Sequence, residues 1–182
     1  MIGYFLAEGS YLKYKGEKTA VEFNFSLSKE KDTLGREVIG LLRKVFDGRN
    51  EPRIQERPNR DILMIRLYGR DVAQWFYKYC GEYSHEKELY KDCLYWHPNI
   101  QKHILATWIN GDGTCRNIYH RNGKLYQNIT STTCSETLHY QMKFIASRLS
   151  IYSTTDYVGD RATKRGKKPY WTLVFGSKES QS

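Results

Sequence analysis

The sequence contains no run of apolar residues long enough to cross a bilayer, so a helical membrane span is not expected. Its apolar start, Met1 to Ala7, has no basic segment before it and is interrupted by Glu8. A secretory leader is therefore not expected either, and the protein is placed inside the cell. Prolines number only 4, and no low-complexity stretch or long linker occurs. The 4 cysteines, Cys80, Cys93, Cys115 and Cys134, form no CxxC pair, which argues against structural zinc of the usual ligand spacing. They read as reduced, partly buried thiols. His85, His97, His103, His120 and His139 make no pairing that catalysis would use. Acid is also scarce: 20 Asp and Glu against 29 Lys and Arg leave a formal charge of +9. That surplus suits a polyanion, from whose phosphates Lys and Arg release counterions. A basic surface kept for solubility is the plainer alternative.

What is present is ordinary globular composition, 40% hydrophobic and 27% charged over 182 residues, with 15 Tyr and 4 Trp mixed among the basic residues. The order of elements occurs twice. An apolar stretch ending in Ala7-Glu8-Gly9 precedes two strand-like runs, Ser10 to Lys15 and Thr19 to Ser28. In the second run Val21, Phe23, Phe25 and Leu27 alternate with Glu22, Asn24, Ser26 and Ser28, a strand with one buried face. A helix is expected over Asp32 to Phe46, capped by Asp32 or Thr33. A hairpin, Arg53–Arg57 and Ile62–Tyr68 around Pro58-Asn59, and a helix over Asp71 to Tyr79 follow.

The second round begins with the apolar stretch from Ile104 into Gly111-Asp112-Gly113. Its hairpin turns at Asn122-Gly123, a strong turn signal. Ser135 and Glu136 open a helix to Leu149, and strands Tyr152–Val158 and Tyr170–Phe175 close the round. The expectation is an α+β protein: two pseudosymmetric half-domains, 1–82 and 103–182, joined by a linker over 83–102. Each would turn one face of an antiparallel sheet outward, giving a twisted basic surface. Lys13, Lys15, Asn24, Ser26, Arg53 and Arg66 are the candidates for that surface in the first half. Asn117, Tyr126, Asn128 and the loop carrying Arg161, Lys164, Arg165, Lys167 and Lys168 are those in the second. Strand ribbons of this kind enter the major groove of double-stranded DNA.

The two apolar stretches share a further pattern. Met1-Ile2-Gly3-Tyr4-Phe5-Leu6-Ala7-Glu8-Gly9 has small residues Gly3 and Ala7; Leu105-Ala106-Thr107-Trp108-Ile109-Asn110-Gly111-Asp112-Gly113 has Thr107 and Gly111. Small residues four apart let two helices approach backbone to backbone, and the terminal glycines suit a left-handed turn at each helix end. Such packing would bring Glu8 and Asp112 together. Two close carboxylates repel unless a cation or a shared proton neutralises them. Mg²⁺ (or Mn²⁺) suits the pair, because it takes oxygen ligands and completes its shell with water and phosphate oxygens. A site of this kind activates water for phosphodiester hydrolysis.

Both segments resemble the LAGLIDADG motif of homing endonucleases, the second, LATWINGDG, along its full length. The stretch Ile129 to Leu138 and the helix to Ile151 are similar to the segment after the second motif in intein-type members. The resemblance implies an αββαββ(α) fold per half, motif helices packed at the interface, and a saddle of antiparallel strands for DNA. It implies a single-chain monomer acting on long DNA sites, with no small-molecule substrate. Glu8 and Asp112 would be the metal-binding acids, with Gly111 beside them. The first motif carries Glu where Asp is commoner, which keeps the carboxylate on a longer arm. Ser28 and Lys29 stand where the family places polar or basic residues near the scissile phosphates, which implies a catalytic Lys29. Lys87 stands where intein-type members carry a basic residue, which implies a further catalytic cation, a solvated linker lysine being the plainer alternative. The matching place in the second half, Thr133 and Cys134, has no lysine. An RNA maturase of the same fold and a non-cleaving DNA-binding protein stay open beside the metal-dependent endonuclease.

Overall fold

The computed structural model describes residues 1–48, 50–121, 124–159 and 169–176, with the backbone alone for 115–121 and 124–127. In chain order the first half holds α1 (Ile2–Glu8), β1 (Gly9–Tyr14), β2 (Glu17–Ser26), α2 (Leu27–Glu30), α3 (Arg36–Val45), β3 (Arg53–Arg57), β4 (Ile62–Tyr68) and α4 (Arg70–Cys80). The second holds α5 (Pro98–Asp112), β5 (Gly113–Arg121), β6 (Lys124–Thr133), α6 (Glu136–Arg148), β7 (Ser153–Val158) and β8 (Tyr170–Phe175). Each half builds one antiparallel four-stranded sheet, in the matching orders β1-β2-β4-β3 and β5-β6-β8-β7. The repeated order read from the sequence is thus a repeated topology.

The alternation in β2 has the expected consequence. Val21, Phe23 and Phe25 are buried, as are Leu63, Ile65 and Leu67 opposite them on β4. α4 covers this face with Val72, Ala73, Phe76 and Cys80. Phe5 of α1 stacks on Phe76 with ring centres 4.5 Å apart, and Phe23 meets both rings edge-on. In the second half Leu138, Met142, Ile145 and Ala146 of α6 join Leu173 and Phe175 of β8, and a single core runs through both halves.

α1 and α5 form the seam. A Cβ added at Gly3 would stand 2.2 Å from Thr107 Oγ1 and 2.3 Å from the Ile104 carbonyl oxygen. One added at Gly111 would stand 2.5 Å from Ala7 Cβ. The small residues therefore meet pairwise, Gly3 on Thr107 and Ala7 on Gly111. Tyr4 and Trp108 fill the flanks and are fully buried.

Three local expectations are corrected. Gly9 and Gly113 do not end their helices in left-handed turns; their φ values are −83° and −79°, and each runs straight into a strand. Glycine is needed there for space: a Cβ would stand 2.2 Å from the Phe5 ring at Gly9 and 2.1 Å from the Ile109 oxygen at Gly113. The helix after β2 starts at Leu27, not Asp32. Ser26 caps it, its hydroxyl accepting from Lys29 N–H at 3.3 Å while Glu30 Oε2 accepts from Ser26 N–H at 2.6 Å. A wide π-type turn, Lys31–Gly35, then links α2 to α3. Segment 83–102, expected as the linker between the halves, buries Lys87, Leu89 and Cys93, and its last residues begin α5. Lys13 turns away from the open face of the sheet. It follows Tyr11 by two on β1 and so takes the side of buried Val21, which α4 covers. Leu12 pairs with Ala20 but Lys13 with Lys18, so Thr19 is an inserted residue on β2 that brings Lys18 to that side as well. Both reach Glu82 beyond α4, and Lys18 also lies over the Tyr77 ring.

Replacing Gly111 with Leu forces bulk into the seam where no space exists. The expected loss is on the order of 1–3 kcal/mol, at about 2–4 °C of melting temperature per kcal/mol for a chain of this size. Calorimetry showing an unchanged melting temperature would disprove the shared seam.

Candidate active site

The seam places Glu8 and Asp112 as the last residues of α1 and α5, side by side at one end of the packed pair. Gly111 lies within this contact: a Cβ added there would stand 3.5 Å from Glu8 Cγ. Both acids are half-buried. Burial is the main cause that pushes Glu8 up to about 7, and the negative charges of Asp112 and Glu30 add to it, against the opposing pull of Lys87. Burial likewise pushes Asp112 up to about 6, with Lys87 opposing. Both acids thus hold a proton to higher pH than free carboxylates do, as expected of two carboxylates brought close in a partly dry place.

Lys87 is the buried cation of the site, only 7% exposed. Its Nζ donates to three successive carbonyl oxygens of the last turn of α1: Phe5 at 3.0 Å, Leu6 at 2.9 Å and Ala7 at 3.2 Å. Burial lowers its pKa, while Asp112, Cys80 and Glu8 pull it back up.

The donor set fits a hard divalent ion. Two desolvated carboxylates, each raised in pKa, present oxygen ligands whose repulsion a cation would relieve. Among the described residues no group of three or more His, Cys, Asp and Glu is placed to hold a metal, so water and phosphate oxygens would complete the shell.

The open face of the first sheet carries a bonded polar row. Glu22 accepts from Asn24 Nδ2 at 3.1 Å and from Arg66 Nε, and Arg66 also donates to Gln55 Oε1 at 3.2 Å. Arg53, paired with Arg66 across the strands, lies over the Tyr68 ring at 5.1 Å. Asn24, Arg53 and Arg66 therefore share one face, as the alternation implied. Lys15 sits in the β1–β2 turn at φ 50°, exposed. Ser26 and Ser28 are held by Asp61: its carboxylate accepts from Ser26 Oγ at 2.7 Å and from Ser28 N–H at 2.7 Å. Lys29 is exposed beside them. Asn128 lies on the sheet face that it shares with Thr130 and Thr132. The side chains of Asn117 and Tyr126, and Arg161, Lys164, Arg165, Lys167 and Lys168 altogether, lie outside the described residues.

The sequence pattern did not single out Glu22, Glu30 or Asp61. Glu22 could have been found from its place between Ala20 and Asn24 on the outward side of β2. Glu30 had a local signal, its spacing of four from the capping Ser26, whereas Asp61 had none, because its partners come from another hairpin.

No protein-family model and no curated protein matches the sequence. Its fold is shared with solved structures. I-DmoI in complex with DNA and Ca matches at a TM-score of 0.67 and 10% identity, over 96% of this chain and 79% of that one. Mesophilic variants of the homing endonuclease I-DmoI match at 0.66 and 10%, over 96% and 84%. I-SmaMI bound to uncleaved DNA in the presence of calcium ions matches at 0.54 and 13%, over 97% and 78%. At such identities the likeness is one of fold, and the fold is that of the single-chain, two-domain LAGLIDADG homing endonucleases.

The acid pair has a signature in stability. Unfolded carboxyls titrate near pH 4, so between about pH 4 and 7 the folded chain binds protons at Glu8 and Asp112 that the unfolded chain releases. Their contribution is present at low pH and lost as pH rises through the raised values. Buried His139, whose pKa is lowered, contributes oppositely: its contribution is lost as pH falls. Comparison with Glu8→Gln cancels His139. From pH 5.5 to 7.5 in chelator, the wild-type melting temperature should fall relative to that of Glu8→Gln. Parallel profiles would mean that Glu8 holds no proton.

Proposed function

We propose that this protein is a divalent-metal-dependent endonuclease that hydrolyses a phosphodiester bond in each strand of a long double-stranded DNA site. The observation that carries the reading is the acid pair: two carboxylates from two halves of one chain, held half-buried where α1 and α5 touch backbone to backbone. The similar structures support it, being DNA complexes of I-DmoI and I-SmaMI solved with Ca, Mn or Mg.

Glu8 and Asp112 would hold Mg²⁺ or Mn²⁺, beside the Gly111 backbone. Bound there, the ion supplies a lowered water pKa and a Lewis acid for the phosphoryl oxygen. The chain supplies the rest. The seam fixes the two carboxylates, and burial keeps bulk water from competing with them. The Asp61 clasp holds the Ser28–Lys29 backbone at the start of α2, from which exposed Lys29 can contact phosphate. On the open face the chemistry of base reading fits the polar row: Arg66 and Arg53 suit guanine, Asn24 suits adenine, and Glu22 suits the cytosine amino group. Asn128 and the basic loop 161–168 are the proposed contacts of the second half, with Asn117 and Tyr126.

One chain brings both acids, so a monomer suffices. Among the described residues no helix is long and apolar enough to cross a membrane. Cys80, Cys93 and Cys134 are free thiols, which suits a reducing compartment inside the cell.

The test is cleavage of a randomised duplex library in Mg²⁺, with the cut ends sequenced. Wild type should yield ends that share a long motif. Glu8→Gln and Asp112→Asn should each abolish cutting while retaining that duplex in Ca²⁺. Cutting by both variants would refute the site. Duplex affinity should fall steeply with salt, as a phosphate-tracking surface requires; filter binding across a salt series checks it, and a flat response would argue against such a surface.

A further inference from the structure

The segment between the halves is bonded more densely than a connection requires. Gly81, at φ 68°, turns the chain out of α4, where a Cβ would stand 2.5 Å from the Glu86 oxygen. Glu88 N–H then donates to Cys80 O at 3.2 Å and Tyr90 N–H to Tyr79 O at 3.1 Å, which ties the segment to α4. Gln141 of α6 takes both backbone groups of Leu89: its Oε1 accepts from Leu89 N–H at 2.7 Å and its Nε2 donates to Leu89 O at 2.9 Å. Ser135, which caps α6, donates its hydroxyl to Lys87 O at 2.6 Å. Lys87 Nζ reaches α1. Residues 87–90 thus strap α1 and α4 of the first half to α6 of the second.

We infer that Lys87 is a positioning residue for the acid pair: its ammonium closes the last turn of α1 and so fixes where Glu8 stands, while its backbone anchors that turn to α6. This rests on the endonuclease reading and gives Lys87, expected as an active-site cation, its role through Glu8. An ammonium has three N–H donors, and all three are used on Phe5, Leu6 and Ala7 carbonyls. A substrate phosphate could gain one only by breaking a bond to α1. The carbonyls at a helix C-terminus carry partial negative charge; that of Phe5 already accepts from Gly9 N–H, while those of Leu6 and Ala7 lie past that last bond of the helix, so a cation there is doubly favoured. Glu8 follows Ala7 directly, so the three bonds hold the peptide from which its side chain departs. Burial of the ammonium is tolerated because Glu8 and Asp112 lie near it with opposite charge.

The experiment uses Lys87→Met, which keeps the length of the side chain and removes the donors, and Gln141→Ala, which loosens the strap and leaves Lys87 intact. The Ca²⁺ concentration giving half the full rise in melting temperature should increase about tenfold or more in Lys87→Met, the scale seen when groups supporting metal ligands are removed. Cleavage should slow by about tenfold or more through misplacement of Glu8. The slope of log duplex affinity against log salt should stay at the wild-type value. Gln141→Ala should shift the Ca²⁺ midpoint in the same direction by less. A salt slope shallower by about one unit in Lys87→Met would overturn the inference, because it is the mark of a lost phosphate contact. Wild-type Ca²⁺ midpoints in both variants would overturn it too. If Lys87→Met does not fold, a wild-type midpoint in Gln141→Ala is enough to reject it. Wild-type protein that neither cleaves nor melts higher with Ca²⁺ would refute the endonuclease reading itself, and this inference with it.

Discussion

The contact between α1 and α5 is the constraint on which the rest of the structure depends. Where Gly3 meets Thr107 and Ala7 meets Gly111, no side-chain layer separates the helices, and a single added carbon would lie inside a neighbour's radius. This closeness brings two helix ends, and hence two carboxylates, into one partly dry place. It also sets where the strands begin. Gly9 and Gly113 leave their helices in extended conformation at equivalent points, so each half launches its sheet from the seam. The matching strand orders then unfold to either side.

Packing of this kind works against the electrostatics it creates. Apolar contact of Tyr4, Phe5, Trp108 and their neighbours drives the helices together, while the acids at their ends resist being dried and being paired. Lys87, buried behind the α1 end, offsets part of the imbalance, and protonation relieves more of it. An acid pair whose pKa values are raised by burial is one that gains by binding a divalent ion, so the same desolvation that costs stability prepares the site.

The sheet face shows a comparable arrangement. Arg66 is held by Glu22 and Gln55, and Asn24 by Glu22, so these side chains are ordered before any ligand arrives. Ordered donors lose less entropy on binding than free ones. Lys13 and Lys18 do not belong to this row. Alternation from Tyr11 puts Lys13 on the side of Glu82 and the extra residue at Thr19 brings Lys18 there too, so the pair fastens the sheet edge to the segment after α4 instead.

The sequence by itself determined the two-fold repetition, the faces of β2 and the seam. Period-two alternation over 21–27 and small residues at 3, 7, 107 and 111 act locally, through facing and volume, so they are readable from spacing alone. It also nominated Glu8 and Asp112, because each closes such a stretch. It misread the start of the helix after β2, since Leu27 continues the strand's alternation and hides the local cap that Ser26 and Glu30 make, which Asp61 reinforces from a distant hairpin. Tertiary structure alone decided that Lys13 and Lys18 meet Glu82, that Asp61 clasps Ser26 and Ser28, and that Lys87 bonds to α1. Each of these depends on a partner tens of residues away, brought near by the packing of α1, α4, α5 and α6. No periodicity encodes such a pairing; it exists only once the core has closed.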